Sequence, residues 1–342
     1  MSKNKNRQWL LATRPAGMVK ETDFAYRESS IPALQNGEFL VRNLYISFEP
    51  AMRGWMRDLP SYIAPVQIGE VMRAPGVGQV VESRHPIFNP GDFVHGSFGW
   101  QDYMATSGSD IMMPVSKISP GLSLTIPLSV LGLNGLTAYF GLLDVGRPQA
   151  GETVVVSGAA GATGSVAGQI AKIKECRVIG IAGGSEKCRW LTREAGFDAA
   201  IDYKSEQVQE RLAKLCLSGI NIFYDNVGGE ILDAALAHIA LKARIVLCGA
   251  ISRYNEETPS PGPKNYLNIL IQRARMEGFI VLDYAPRFDA ALKELTGWVT
   301  AGKIKFKEDI QEGFENIPKT FLRLFDGKNF GKQLLKIADP PL

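Results

Sequence analysis

Three glycines recur at a fixed interval near the middle of the chain: Gly158, Gly161 and Gly164. They occur in "SGAAGATG", directly after the β-branched run of "GETVVVSG". By itself this spacing fits a simple tight turn. Between a strand and a helix, however, it lets backbone amides approach a pyrophosphate at the positive end of the helix dipole. The stretch therefore predicts a dinucleotide-binding turn, in which the last glycine lets the helix pack on the sheet.

The residues after the next apolar run, "VIGIAG", indicate which dinucleotide is bound. Enzymes that use NAD commonly place a carboxylate there to hold the ribose 2′-hydroxyl. This chain has Gly183–Gly184 instead, followed by Ser185, Lys187 and Arg189. A carboxylate would repel a 2′-phosphate, whereas glycines and nearby cations leave room for one. We interpret Glu186 as a first-turn residue that complements the helix dipole, so the prediction is NADPH.

Groups that would hold a catalytic metal are scarce in the sequence. Zinc sites need clustered Cys, His or acidic ligands. The first 175 residues contain no cysteine, and their histidines, His85 and His95, are expected in turn or loop positions. No Ser/His/Asp grouping suggests a hydrolase. The remaining chemistry is hydride transfer without a metal, in which hydroxyl or amide donors stabilise the developing oxyanion.

Alternating strands and helices after residue 128 must position these groups. Strand-like runs are "ETVVVSG", "RVIGIAG", "AAIDY", "INIFYDNVG", "ARIVLCGA" and "RMEGFIVLDY". Helix-like runs separate them, and a longer one, "SVLGLNGLTAYFGLLDVG", precedes them. Almost wholly apolar strands that alternate with helices indicate a parallel sheet covered on both faces. The predicted fold class is α/β, with a doubly wound Rossmann sheet.

The first ~125 residues show a different sequence pattern. Short apolar runs broken by Gly and Pro, among them "GEFLVRNLYISFEP", "GVGQVVES" and "IMMPV", predict a β-rich domain. The C-terminal segment reads as a helix, a turn and a final strand, and we expect it to return to this domain. The predicted division is 1–128 with 306–342 as the substrate domain, and 129–305 as the nucleotide domain.

The composition is that of a globular protein. The 342 residues are 45% hydrophobic and 21% charged, with a net charge of +3 spread along the chain, which argues against a nucleic-acid partner. The uncharged stretch 122–143 is interrupted by Pro and Gly and is interpreted as a buried segment, not a membrane span. No secretory signal is apparent, and the cysteines lack a CxxC pair, so we expect free thiols and a cytoplasmic location. The cysteines are Cys176, Cys188, Cys216 and Cys248.

The chain resembles the zinc-independent medium-chain dehydrogenase/reductases, and among them the NADPH-dependent alkene reductases that include prostaglandin, plant double-bond and bacterial curcumin reductases. The resemblance covers nearly the whole chain. It depends on "EPAMRGWM", "SYIAPVQIGEVM", "GLNGLTAYFGLLDVG", "SGAAGATGSVAGQIAK", "FYDNVGGEILD", "LCGAISRYN" and "NFGKQLLKI". It implies a GroES-like β-rich domain beside the Rossmann domain, a homodimer, and reduction of a carbon–carbon double bond conjugated to a carbonyl.

The resemblance also implies roles for particular residues. Cofactor contacts are expected at Gly161, Ala162, Thr163 and Gly164 for the pyrophosphate, and at Ser185, Lys187 and Tyr203 for the 2′-phosphate side. Others are expected at Asn226, at Cys248, Gly249, Ala250, Ile251, Ser252 and Tyr254, at Phe279, Ile280 and Val281, and at Asn329.

Two tyrosines are the catalytic candidates implied by the resemblance. Tyr254 would stabilise the enolate that forms when hydride reaches the β-carbon, with a packing role as the alternative. Tyr62 would contact the small-molecule enone, or else be a rim or core aromatic. Met52, Arg53 and Trp55 are expected to line or support the pocket, and Arg53 would bind an acidic group or form a buried ion pair.

Two other functions stay open at this point. A quinone oxidoreductase of the same superfamily would use the same cofactor turn. A non-catalytic NADPH-binding sensor would bind the dinucleotide without reducing any enone.

Overall fold

Short strands dominate the first part of the chain in the computed structural model, which describes residues 5–109, 114–258 and 260–341. The elements in order are β1 Lys5–Leu11, β2 Phe24–Ser30, β3 Phe39–Ser47, α1 Met52–Trp55, β4 Pro75–Ser83, β5 Phe93–Ser97, β6 Tyr103–Thr106 and β7 Ser116–Lys117, with 3-10 turns at Glu21–Asp23 and Ile126–Leu128. The strand predicted at "IMMPV" (111–115) lies mostly outside the described residues.

Strands and helices then alternate. They are α2 Leu133–Phe140, a π-helical turn Gly141–Gly146, β8 Thr153–Ser157, α3 Ala162–Ile173, β9 Arg177–Ala182, α4 Ser185–Arg193, β10 Ala199–Asp202, α5 Val208–Leu215, β11 Ile220–Asp225, α6 Gly229–Leu236, β12 Ile239–Leu247, α7 Leu267–Ile271, β13 Arg275–Gly278 and α8 Phe288–Thr300. Further 3-10 turns cover Ile251–Arg253, Lys264–Tyr266 and Val281–Arg287. The C-terminal segment adds β14 Glu308–Glu312, a 3-10 turn Phe314–Asn316, α9 Ile317–Leu322 and β15 Lys332–Lys336.

The chain divides into two units, residues 1–128 with 308–342 and residues 129–307. In the first, the strand order is β14-β15-β3-β4-β5-β7, with β6 also paired to β3. All these pairs are antiparallel except β14 with β15. A separate antiparallel hairpin joins β1 and β2. Alternate side chains of these strands, such as Phe39, Val41, Val80 and Val94, form a buried apolar cluster.

The second unit is a parallel six-stranded sheet in the order β10-β9-β8-β11-β12-β13. Its central strands are buried along most of their length because helices cover both faces. The chain starts at β8, proceeds outward to β10, and then crosses back to β11 beside β8. This is the doubly wound topology, so the predicted fold class is confirmed.

Two element predictions are wrong in their extent. The helix predicted over 129–146 begins only at Leu133, because Gly132 is extended, and it ends in a π-helical turn. The strand predicted at "RMEGFIVLDY" stops at Gly278, which pairs with Leu247 at the end of β12. Residues beyond Gly278 have no partner strand there and form a 3-10 turn instead. Among the described residues, no helix is long and apolar enough to cross a membrane.

Candidate functional site

Strands β8 and β11 mark the point where the strand order reverses, which is where doubly wound sheets bind their ligands. The predicted cofactor residues of this unit all follow the carboxyl ends of its strands. The glycine turn follows β8, residues 183–187 follow β9, and Tyr203 follows β10. Asn226 follows β11, residues 248–254 follow β12, and residues 279–281 follow β13. Because the strands are parallel, these groups lie along one edge of the sheet.

The glycine turn leaves no space for side chains. Gly158 has a positive φ of 58°, which a residue with a Cβ adopts only with strain. A Cβ on Gly164 would lie 2.4 Å from the carbonyl oxygen of Gly158, and one on Gly161 would lie 3.1 Å from the same oxygen. The third glycine is therefore needed for the start of α3 to pack against the turn.

The first turn of α3 faces this edge without a side-chain cap. Gly161 occupies the N-cap position in extended geometry and makes no side-chain hydrogen bond to the helix. The amides that follow carry the positive end of the helix dipole, which suits a phosphate. Thr163 adds a hydroxyl that accepts a hydrogen bond from the Asn134 side chain (3.4 Å).

A buried carboxylate that the sequence analysis did not single out connects β8 to β11. The hydroxyl of Ser157 donates to Asp225 (2.6 Å), which also accepts the amides of Val227 and Gly228 (both 3.0 Å). Burial raises the pKa of Asp225, and these hydrogen bonds oppose that shift. The available signal was an acid at the end of an apolar run and shortly before a glycine pair, in "FYDNVGG".

Asn226 is held by the same network. Its amide donates to the Ser157 hydroxyl (2.8 Å), and its side-chain nitrogen donates to the Ser157 carbonyl (2.7 Å). The segment after β12 is hydrogen-bonded to the end of β11 through its backbone, because the amides of Cys248 and Gly249 both donate to the Asp225 carbonyl and that of Ile251 donates to the Asn226 carbonyl. The structure thus brings Asn226 and residues 248–252 together beside the glycine turn.

Tyr254 folds back over its own loop. Its hydroxyl oxygen accepts the amide N–H of Ala250 (3.1 Å) and lies 3.1 Å from the Cβ position of Gly249. Cys248, at the start of the same segment, has a protonated thiol near neutral pH, because burial raises the pKa of this thiol to about 12.

The residues that follow β9, Gly183 and Gly184, pack against the residues at the end of β10, Asp202 and Tyr203. A Cβ on Gly183 would lie 2.9 Å from ring atoms of Tyr203, so glycine lets the tyrosine lie against the backbone. The carboxylate of Asp202 accepts the Gly184 amide (2.8 Å), which lowers the pKa of this acid. At the start of α4, Arg189 donates to the Ser185 hydroxyl (3.3 Å). Lys187 is half-buried in the same helix turn.

Phe279 lies against a helix that the sequence analysis did not connect with it. A Cβ on Gly141 would lie 2.4 Å from the Phe279 ring and 2.7 Å from the Tyr224 hydroxyl. Ile280 and Val281, the next two residues of the chain, are half-buried.

The other unit contains Tyr62 and Asn329. The indole N–H of Trp55 donates to the Tyr62 hydroxyl (3.0 Å), and burial raises the pKa of that tyrosine. The Asn329 side chain donates to the carbonyl of Gly331 (3.1 Å). Three residues later in the chain, the buried ammonium of Lys332 contacts the Glu49 carboxylate and donates to the Phe48 carbonyl.

Arg53 is buried, with 1% of its surface exposed, and donates to the carbonyls of Pro15 and Gly17. These bonds hold the loop around residues 15–17 in place, and the acid-binding role and the buried ion pair stay predictions. Met52 and Trp55 are buried core residues beside it. His95 lies within strand β5, not in a loop as predicted. No cluster of His, Cys, Asp and Glu able to hold a metal occurs among the residues that the structure describes.

Comparison with known proteins agrees with this architecture. Residues 7–113 match a family model described as the N-terminal domain of oxidoreductase, and residues 162–297 match one described as a zinc-binding dehydrogenase. The chain is 44% identical over 342 residues to the NADPH-dependent curcumin reductase of Escherichia coli, covering 98% of each protein. It is 38% identical over 333 residues to bovine (Bos taurus) prostaglandin reductase 1, covering 96% of this chain and 98% of that protein.

A solved structure is similar along the whole chain. CurA from Vibrio vulnificus in complex with NADPH superposes with a TM-score of 0.92 at 43% identity, covering 98% of this chain and all of the other. Together with the doubly wound sheet and the antiparallel β-rich unit, these similarities show that the chain belongs to the medium-chain dehydrogenase/reductase family.

Proposed function

We propose that this protein is an NADPH-dependent reductase of carbon–carbon double bonds conjugated to a ketone or aldehyde. The observation that carries the proposal is the glycine turn after β8, where a Cβ on Gly161 or Gly164 would crowd the Gly158 carbonyl oxygen and the first turn of α3 has no side-chain cap. The name of the similar NADPH-dependent curcumin reductase and the NADPH complex of CurA support the choice of cofactor. The names curcumin reductase and prostaglandin reductase 1 support the substrate class.

The residues fit this cofactor. Amides at the start of α3, from Ala162 to Gly164, would hold the pyrophosphate. Ser185, Lys187 and Tyr203 would hold the 2′-phosphate, in a corner where Asp202 has its carboxylate bonded to backbone amides. Asn226 and the segment after β12 would hold the nicotinamide side, as would residues 279–281 and Asn329. When bound, NADPH supplies a hydride, which we assign to the β-carbon of the substrate.

Tyr254 would act on the charge that develops at the substrate carbonyl. Its hydroxyl oxygen accepts the Ala250 amide, so its own proton is directed away from that amide. A phenol proton donated to the carbonyl oxygen stabilises the enolate more than the ground-state ketone, and this difference accelerates the reaction. Tyr62, whose oxygen accepts the Trp55 indole N–H, would contact the substrate.

Tyrosine replacement tests the proposal. With 2-alkenals or an enone as substrate, Tyr254→Phe should lower kcat roughly 10- to 100-fold with little change in NADPH affinity. Tyr266→Phe is the matched control, because Tyr266 lies in the same unit with 58% of its surface exposed. An unchanged kcat in Tyr254→Phe removes it from the mechanism.

Three results would redirect the assignment. Turnover of simple quinones but not enones would favour a quinone oxidoreductase. Tight NADPH binding without reduction of any enone would favour a sensor, and a preference for NADH would refute the 2′-phosphate assignment. The homodimer is likewise a prediction, which the mass in solution tests.

A further inference from the structure

The hydroxyl of Thr163 is used differently from that of most helical threonines in this chain. A threonine in a helix commonly donates its hydroxyl proton to a backbone carbonyl one turn back. Four threonines here do so over 2.6–3.2 Å: Thr137, Thr192, Thr296 and Thr320. Thr163 is the second residue of α3. In residues 5–109, 114–258 and 260–341 its hydroxyl makes one hydrogen bond, which it accepts from Asn134 (3.4 Å), so its proton is not committed to a protein group.

Asn134 is held in place by the helix that carries it. It is the second residue of α2. A Cβ on Gly135 would lie 1.9 Å from the Val130 carbonyl oxygen, so this end of α2 packs closely on the residues before it. Near the middle of the helix, the Thr137 carbonyl accepts the hydroxyl of the buried Tyr224 from β11 (2.9 Å). The start of α2 is thus fixed on the sheet, and Asn134 reaches from it to α3.

The direction of the Asn134 bond determines where the Thr163 proton points. A side-chain amide nitrogen only donates, so Thr163 Oγ accepts and its proton lies away from Asn134. The first amides of α3 have no partner within the helix. The hydroxyl and these amides are therefore donors at the same end of one helix. A pyrophosphate, whose oxygens accept hydrogen bonds, matches such a set of donors.

We propose that Asn134 is a positioning residue of the cofactor site, which orients the Thr163 hydroxyl so that this group donates to the pyrophosphate of NADPH. The inference rests on the proposed function and adds to it a residue from a helix outside the glycine turn. In this role Asn134 acts through Thr163. Its loss weakens the binding of NADPH and leaves the binding of a ligand without a pyrophosphate unchanged.

Calorimetric titration with NADPH and with adenosine 2′-monophosphate tests this role, because the second ligand keeps the 2′-phosphate but has no pyrophosphate. Thr163→Val should lower NADPH affinity about 10-fold and Asn134→Ala about 3- to 5-fold, with no change for adenosine 2′-monophosphate. Thr163→Ser keeps the hydroxyl and should keep the wild-type affinity. Asn268→Ala is the matched control: it removes a half-buried amide of the same unit that donates to the Leu236 carbonyl (3.0 Å), and both affinities should stay unchanged.

The isosteric change Asn134→Asp separates positioning from a structural tie between α2 and α3. An ionised aspartate only accepts, so it turns the Thr163 proton toward itself and adds negative charge near the phosphates. NADPH affinity should therefore fall at least about 10-fold, further than in Asn134→Ala. A structural tie would survive this change, so an affinity closer to the wild type than that of Asn134→Ala overturns the proposal.

The double variant Asn134→Ala/Thr163→Val completes the test. Its NADPH affinity should equal that of Thr163→Val alone, because Asn134 acts through the hydroxyl. Losses that multiply, or equal losses for the two ligands in Asn134→Ala, overturn the proposal. A wild-type protein that binds NADPH but reduces no enone ends the reductase assignment alone, since these titrations need no turnover. A wild-type protein that does not bind NADPH ends both.

Discussion

The fit of α3 against the glycine turn allows a quantitative prediction for Gly164→Ala. The new Cβ would lie 2.4 Å from the Gly158 carbonyl oxygen, about 1 Å short of an ordinary contact of 3.4 Å. The start of α3 must therefore shift by about that distance or the turn must open, at a cost of roughly 1–3 kcal/mol of unfolding free energy. If these amides hold the pyrophosphate as proposed, a 1 Å displacement should weaken NADPH binding by about 10-fold or more.

Gly297→Ala is the control. Gly297 lies in α8, and a Cβ there meets nothing within 4 Å. This change should stabilise the protein by about 0.5–1 kcal/mol, because alanine favours the helix, and should leave NADPH affinity unchanged. Urea unfolding and fluorescence titration of NADPH measure both effects. If Gly164→Ala binds NADPH as tightly as the wild type, the turn does not hold the pyrophosphate.

Three further predictions concern stability and reactivity. Ser157→Ala removes a hydroxyl that donates to a buried carboxylate and accepts the Asn226 amide, so urea unfolding should show a loss of about 2–4 kcal/mol; a loss below about 0.5 kcal/mol would contradict this. Burial lowers the pKa of His95 from 6.5 to about 4, so the unfolded chain takes up a proton first as pH falls. Stability should therefore fall by up to about 3 kcal/mol between pH 6.5 and 4, and His95→Gln should flatten the slope of unfolding free energy against pH. Burial raises the thiol pKa to about 11 or 12 at every cysteine, so iodoacetamide should label native protein far more slowly than urea-unfolded protein near neutral pH; equal rates would refute it.

Much of the nucleotide unit could be predicted from local pattern. Buried parallel strands occur in the sequence as apolar runs. Regularly spaced glycines between such a run and a helix are typical of a dinucleotide-binding turn. The end of "RMEGFIVLDY" could not be predicted in this way, because strand length there depends on where β12 stops, which is a property of the partner strand.

The candidate site was less predictable where it depends on tertiary burial. In sequence, Asp225 looks like an ordinary polar residue of the strand-like run "INIFYDNVG", yet it is buried and accepts a hydrogen bond from Ser157 on the neighbouring strand. Arg53 lies near the predicted substrate segment, and nothing in the sequence around it shows that it donates to the backbone carbonyls of Pro15 and Gly17.

The strand order places Gly183 and Tyr203 beyond the outer pair β9 and β10, while Asn226 and Tyr254 follow β11 and β12 on the opposite side of β8. In the proposed site, choice of dinucleotide and chemistry on the substrate would therefore be carried by separate halves of the sheet. Redesign of the coenzyme preference would then concern a compact region after β9 and β10 that shares no strand with the proposed reacting end.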